Sequence, residues 1–309
     1  METRRPELTP DLFKRIETGS QQSERIAGPP IGFWRDSWDR LKKNRGALVG
    51  LVVIVVLIVT AYIGPLVSPY TPYGQDLARR FAGPSSQLWF GADEFGRDMW
   101  SRVWIGTQVS LYIGFLAAFL DLVVGVVYGA VSGLFGGRVD DVMQRGIEIL
   151  NGVPYLVVAI LAMLVLSPGI ITITIAIGMT SWTYMARIVR GRMLQLKDQE
   201  FALASRSLGA GRWRLLTKHL LPNSLGPMIV NLMFTIPLAI FAEAFLSFIG
   251  LGIQPPDTSL GALINEGYKE LRFHPYLLWF PTAVFSLLMI CFNLLGDGLR
   301  DALDPKMRK

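Results

Sequence analysis

Long apolar runs separated by short, charged segments fill the chain from residue 46 onward. A helix that crosses a membrane needs about 20 consecutive, mostly apolar residues. Six stretches meet that length, near 46–67, 109–134, 147–167, 170–190, 226–252 and 277–297. The first, GALVGLVVIVVLIVTAYIGPLV, carries no charge at all. Only Ser167-Pro168-Gly169, a triplet of turn formers, separates the third from the fourth. The pattern predicts an all-α membrane protein with six transmembrane helices. A polar segment over 1–45 precedes a six-span domain over 46–309, and a long polar loop at 191–225 interrupts that domain.

Finer periodicity adds detail. Trp34, Trp38 and Leu41 share one face of a predicted amphipathic helix near 31–45, suited to lie at a membrane surface. In the second span Gly125, Gly129, Gly133 and Gly137 recur every four residues and form one ridge of small side chains. Such a ridge lets another helix approach closely in lipid, so it is expected to seat a neighbouring span. Pro154, Pro237 and Pro281 fall inside spans three, five and six and predict kinks. Residues 1–30 offer no functional signal.

Composition agrees with a membrane and narrows the chemistry. The 309 residues are 51% hydrophobic and only 17% charged, against about 25% charged in a typical soluble domain. That excludes a disordered chain or a nucleic-acid-coating protein despite the net charge of +6. One cysteine excludes a disulfide framework, and two histidines, His219 and His274, leave little for a metal site. Of the 30 Lys and Arg residues, 24 fall in 1–45, 135–146, 187–225 and 298–309, and 6 on the other side of the six predicted spans. By the positive-inside rule both termini and the 187–225 segment are expected in the cytoplasm, with anionic lipid heads as a partner. The first span follows 45 polar residues and no small-residue cleavage pattern comes after it, so it reads as an uncleaved anchor. A bacterial plasma membrane is the expected location.

The polar loop is the most informative segment. Phe201, Ala204 and Leu208 recur at helical spacing, Gly209 and Gly211 break that helix, and Trp213, Leu216 and Leu220 begin a second one, which Pro222 is expected to close. Two readings fit: a helix pair resting on lipid, or a docking element for a cytoplasmic partner. Glu200, Ala204, Gly209 and Leu221-Pro222 stand at the spacing of the EAA motif, and in this the loop resembles the permease subunits of ABC-type importers. Ala204-Ser205 stands where the motif has Ala-Ala.

Other blocks resemble the dipeptide/oligopeptide/nickel branch of that family, in its C-type subunit. They are Gly91-Ala92-Asp93-Glu94-Phe95-Gly96-Arg97-Asp98 with Arg102, where Ala92 replaces a usual Thr, then Glu243 to Gly252 with Pro255-Pro256 and Gly261, and Asn293 to Asp297 with Arg300-Asp301 and Leu303-Asp304-Pro305. The resemblance runs from about residue 31 to the end. It implies the type I importer permease fold and import of di- or oligopeptides by alternating access. It also implies three kinds of partner: a B-type permease, two cytoplasmic ATPases and an extracellular peptide-binding protein. In the coupling loop it assigns Glu200, Phe201, Ala204, Ser205, Leu208, Gly209, Leu221 and Pro222 to ATPase contact.

The residues themselves contain no phosphate-cradling G-x-x-x-x-G-K-[ST] loop, no H-E-x-x-H and no G-x-S-x-G beside a plausible base. The chain is therefore read as a non-catalytic subunit with no cofactor or metal of its own, ATP and Mg belonging to the partners. The same machine importing nickel chelates or another small solute is a second reading. An ion-coupled carrier acting alone is a third, whose marks, an inverted repeat and unwound helices with clustered acids, are not evident.

Three further sites carry alternatives. Asp93 suits a helix cap, and Asp98 with Arg102 forms an i,i+4 pair. With Gly96 and Arg97 they are either local scaffolding or a surface for the binding protein. Within the spans, Asp121 and Glu243 are costly charges that face protein or a water-filled path. For Glu243 a path role and an interhelical hydrogen bond weigh equally, whereas for Asp121 the hydrogen bond is favoured. For Asp297 and Arg300, one turn apart, a local ion pair is the default reading and a gate-side contact the alternative.

Overall fold

The computed structural model describes residues 32–167 and 169–303. The first 31 residues, Pro168 and the Asp304-Pro305 part of the C-terminal motif lie outside them. Among the described residues the regular structure is helical, with non-helical connections chiefly over 68–98 and 249–259. No strand forms among the described residues, and a single isolated bridge joins Ala92 to Asp98.

Twelve helices follow in order: α1 Phe33–Leu41, α2 Arg45–Val67, α3 Met99–Leu120, α4 Val126–Phe135, α5 Gly137–Gly152, α6 Tyr155–Leu166, α7 Ile170–Leu196, α8 Glu200–Ser207, α9 Arg212–Leu215, α10 Leu221–Phe248, α11 Leu260–Lys269 and α12 Tyr276–Leu303. Side chains set several starts. Asn44 accepts the Ala47 N–H and opens α2, Asp98 accepts the Ser101 N–H and opens α3, and Ser259 accepts the Ala262 N–H and opens α11. Because Asp98 caps α3, the second predicted span begins ten residues earlier than its apolar run.

Among the described residues four helical runs are long and apolar enough to cross a membrane: Arg45–Val67, Met99–Phe135, Arg212–Phe248 and Tyr276–Leu303. The third predicted span is not one helix. Its residues divide between α5 and α6, which meet at 79°. Pro154 causes the break: the residue before a proline is pushed out of the helical region, and Val153 is extended (ψ 123°). Pro154 thus caps α6 rather than kinking it, and the 12 residues of α6 are about 18 Å long, short of a bilayer. If the bent pair is one broken span it makes a fifth. The fourth predicted span, α7, extends to 27 residues, about 40 Å, and its last turns carry Arg187, Arg190 and Arg192.

The core lies where α10 runs between α3, α7 and α12. One apolar cluster joins α2, α3, α10, α11 and α12 through Met99, Leu111, Ile240 and Leu288. A second joins α3, α6, α7 and α10 through Ile113, Ala159, Ile177 and Leu246. The glycine ridge fits against α7. A Cβ on Gly125, Gly129 or Gly133 would collide with Met185, with the Ala186 carbonyl and with Met193 respectively. Gly137 does not continue the ridge; it sits at the α4–α5 corner with nothing beside it. The outer apolar face of α2, Val52, Val55, Val59 and Leu66, is exposed, as expected of a helix hydrophobic all round. The predicted helix near 31–45 is α1; Leu41 packs on Ala47 and Ala302, while Trp34 and Trp38 stay half exposed.

Candidate functional site

The loop after α7 folds as α8, a turn and α9. Gly209 adopts φ +84°, the left-handed region that favours glycine. The Gly209 N–H donates to the Arg206 carbonyl at 2.9 Å and the Ala210 N–H to the Ser205 carbonyl at 3.0 Å. That pair of bonds is a Schellman ending, and it turns the chain sharply out of α8. Ala202, Leu215, Leu216 and Leu220 then bury against Met185, Val189, Met193 and Met228. The loop is thereby fastened to α4, α7 and α10.

The opposite side of the loop is apolar and largely exposed, although the Trp213 ring also meets Phe135 edge-on at 6.4 Å. Phe201, Leu203, Leu208 and Trp213 are exposed, Leu208 to 90%. Glu200 and Ala204 are also exposed, and Ser205 is half-buried. The periodicity of Phe201, Ala204 and Leu208 thus marks a face turned away from the bundle. Ala202, one residue off that face, is the side chain that seats α8, and its small size is the only hint of it in the sequence.

Pro222 does not close the second helix. Leu216–Leu220 form a π-turn that continues into α10, so Arg212–Phe248 is one helical run of 37 residues. Pro222 falls in the first turn after it, where the regular bonding register is already interrupted and a missing N–H costs little. The loop is therefore continuous with a helix long and apolar enough to cross a membrane.

At the opposite end of the spans, Asp93, Arg97, Asp98 and Arg102 are all buried. Asp93 accepts the Phe95 and Arg97 N–H groups at 2.9 Å and the Arg97 Nε at 2.6 Å. Arg102 does not pair with Asp98. It reaches across to Glu266, at 2.9 and 3.1 Å, and lies 3.3 Å from Asp93. Asp98 is occupied by Ser68 and Ser101 at 2.7–3.1 Å. Gly96 has φ +72°, and a Cβ there would strike the Asp76 backbone. Glu266, 164 residues from Arg102 in the chain, left no local signal.

The two intramembrane acids occupy different settings. Glu243 is fully buried, accepting Ser110 Oγ and Ser247 Oγ, each at 2.8 Å. Ser259 joins through Ser247, and the Ile253 and Leu260 N–H groups close on the same hydroxyls. Glu243 therefore ties α3 and α10 to the chain that leads into α11.

Asp121 lies where a π-turn, Asp121–Gly125, joins α3 to α4. It accepts Thr235 Oγ1 at 2.8 Å and Asn231 Nδ2 at 3.2 Å. Asn231 and Thr235 in turn line a cavity of about 840 Å³ between α7, α10 and the end of α12, together with Tyr184, Arg192, Phe234 and Arg300. Of the two acids, Asp121 stands directly behind that cavity and Glu243 does not line it. Asp297 and Arg300 form no ion pair; Arg300 belongs to the cavity wall.

Known proteins share this arrangement of sequence. The model for the binding-protein-dependent transport system inner membrane component matches residues 125–309, and the model for the N-terminal TM domain of oligopeptide transport permease C matches residues 32–84. The chain belongs to this family of permeases. It is 46% identical to the dipeptide transport system permease protein DppC of Bacillus subtilis over 97% of this permease and 94% of that one. It is 44% identical to the oligopeptide transport system permease protein OppC of the same organism, covering 97% and 98%. The OppC of Escherichia coli K12 is 40% identical, covering 96% and 98%. Among solved structures, the inward-facing MetNI methionine ABC transporter aligns with a TM-score of 0.54 at 18% identity, over 66% of this permease and 96% of that chain. That likeness extends to the fold alone. As in its family, the permease is a transport component of an ABC importer.

Proposed function

We propose that this chain is the C-type permease subunit of an ATP-driven importer of di- and oligopeptides, set in a bacterial plasma membrane. The observation that carries the reading is the coupling loop. An apolar face of Phe201, Leu208 and Trp213 is held outward on a loop that is itself bolted to α7 and α10. Its relatives' names supply the cargo class.

In this reading α2, α3–α4, the bent α5–α6 pair, α7, α10 and α12 make six crossings, with both termini in the cytoplasm. A B-type permease covers the open side of the cavity. Two ATPases, which hold ATP and Mg, receive α8 in a surface groove, and a binding protein delivers peptide from outside. ATP-driven closure of the ATPases displaces α8, and the continuous Arg212–Phe248 run transmits the displacement to the cavity wall.

The test is reconstitution of this chain with a B-type permease, the ATPases and the binding protein in proteoliposomes. ATP-dependent accumulation of labelled di- and tripeptides is expected. Uptake by this chain alone under an ion gradient would overturn the reading. Labelling of single cysteines at Leu208 from the cytoplasm and at Gln87 from outside checks the topology.

A further inference from the structure

The cavity has chemically different ends, and helix order shows which is which. Arg192 and Arg300 lie within the last turns of α7 and α12, at the end next to α8. Gly226, on α10, marks the same end, and Asn231 and Thr235 lie about 8 and 14 Å further along that helix. Among the described residues Arg300 has no ion-pair partner, and Arg192 meets only the neutral Gln195 Oε1, at 3.3 Å. Guanidinium groups donate and never accept, and they match a carboxylate in bidentate geometry.

The far end has the opposite character. Asp121 is 1% exposed, and its Oδ1 has no hydrogen-bond partner among the described residues. Its Oδ2 takes the Thr235 hydroxyl proton and an Asn231 amide N–H. With those donors turned toward Asp121, the Asn231 amide oxygen is left as an acceptor, the Thr235 hydroxyl oxygen keeps one lone pair beside the Asn231 Nδ2 that reaches it at 3.4 Å, and an acidic side chain stands behind them. Such a surface favours a cationic N–H donor. The rise of about 8 to 14 Å along α10 from Gly226 to Asn231 and Thr235 matches roughly two to four extended residues.

We propose that this cavity imposes a polarity on a passing peptide. The amino-terminal ammonium faces Asn231 and Thr235, backed by Asp121. The terminal carboxylate faces Arg192 and Arg300 and leads toward the α8 end. The proposal rests on the peptide-import reading and adds the residues that read the two termini.

The experiment uses the complete transporter in vesicles of neutral phospholipid with saturating, fully loaded binding protein. The cargo is one tripeptide in free, C-amidated and N-acetylated forms. Wild type is expected to move the free form at least about fivefold faster than either blocked form. Arg192→Gln with Arg300→Gln is expected to slow the free form about tenfold, as loss of one strong charged contact does, and to leave the amide little changed. The acid-to-amide ratio then approaches one. Arg192→Lys with Arg300→Lys keeps the charge and most of the ratio. Asp121→Asn is expected to collapse only the free-to-acetylated ratio.

Equal wild-type rates for acid and amide overturn the proposal. So does an equal slowing of both by the glutamine variant, which would mark the arginines as lipid or ATPase contacts, and so does failure of the lysine variant to retain the ratio. A wild-type assembly that imports no peptide in any form removes the peptide-import reading instead.

Discussion

Asp140 of α5 and Arg190 of α7 form a two-pronged ion pair, Nε to Oδ1 and Nη2 to Oδ2, each at 2.6 Å. Ser132 of α4 donates to the same Oδ1. Three helices thus meet at one carboxylate, beside the corner where Gly136 and Gly137 turn the chain from α4 into α5. The corner adjoins the methionine cluster on which the α8–α9 loop rests. Paired bonds between ionised groups are stronger than neutral ones and fix orientation as well as distance. Asp140→Ala is expected to cost about 1.5–3 kcal/mol by stranding a half-buried guanidinium. The charge-swapped pair Asp140→Arg with Arg190→Asp is expected to recover part of it. Thermal melting in detergent of the two single variants and the swap, read as a double-mutant cycle, measures the coupling; additive losses would show that the pair contributes nothing.

Gly209 gives the α8–α9 loop its direction. Nothing crowds a Cβ there, so the cost of substitution is conformational. A β-branched residue in the left-handed region loses about 1–3 kcal/mol, and asparagine much less. Gly209→Val is therefore expected to uncouple ATP hydrolysis from uptake while the protein still reaches the membrane, whereas Gly209→Asn transports near normally. Uptake and ATPase rates measured side by side decide it. Equal behaviour of the two variants would assign the defect to the side chain rather than to the turn.

The seat between α4 and α7 is steric. A valine at Gly129 would press on the Ala186 carbonyl and on Val189. Backbone cannot yield as a flexible side chain can, and overpacking of this kind costs about 1–3 kcal/mol or more. Gly129→Val is expected to cut the yield of folded protein in fluorescence-detected gel filtration. Gly146→Val makes a fair control, since its Cβ would meet only the Tyr128 hydroxyl at 3.1 Å.

Much of this architecture is readable from spacing. The four-residue repeat of Gly125, Gly129 and Gly133 announces a packed ridge, and Gly209 with Gly211 announces the loop's turn. What the sequence hides is pairing across long intervals. Asp140 finds Arg190 fifty residues away, and Arg102 finds Glu266 rather than Asp98, because a helix cap claims Asp98 first. Hydropathy alone also misreads residues 147–167. Val153-Pro154 breaks that run, and apolarity on both sides of the break looks the same to a sliding window. The π-turn at Leu216–Leu220 has no simple sequence signature, so Pro222 reads as a stop when it is an early residue of α10.

Glu243 is a buried acid whose carboxylate is held by neighbouring hydroxyls and does not line the cavity. Two serine hydroxyls satisfy its carboxylate, a third stands behind them, and it has no exposure to the cavity. Its neighbours come from α3, α10 and the chain leading into α11, so removing it loosens the end of the bundle away from α8. Glu243→Ala would leave buried hydroxyls without their acceptor, at about 1–3 kcal/mol for each group stranded. Glu243→Gln keeps an acceptor oxygen and the same volume, and is expected to be milder. Neither change is expected to alter the electrostatics along the cavity, because Glu243 does not line it. The ratio of uptake rates for lysine-containing and aspartate-containing peptides is thus expected to stay at its wild-type value in Glu243→Gln, even where the melting temperature falls. A shift of that ratio toward acidic peptides would place Glu243 on the path after all, and would require the Ser110–Ser247 cage to open during transport.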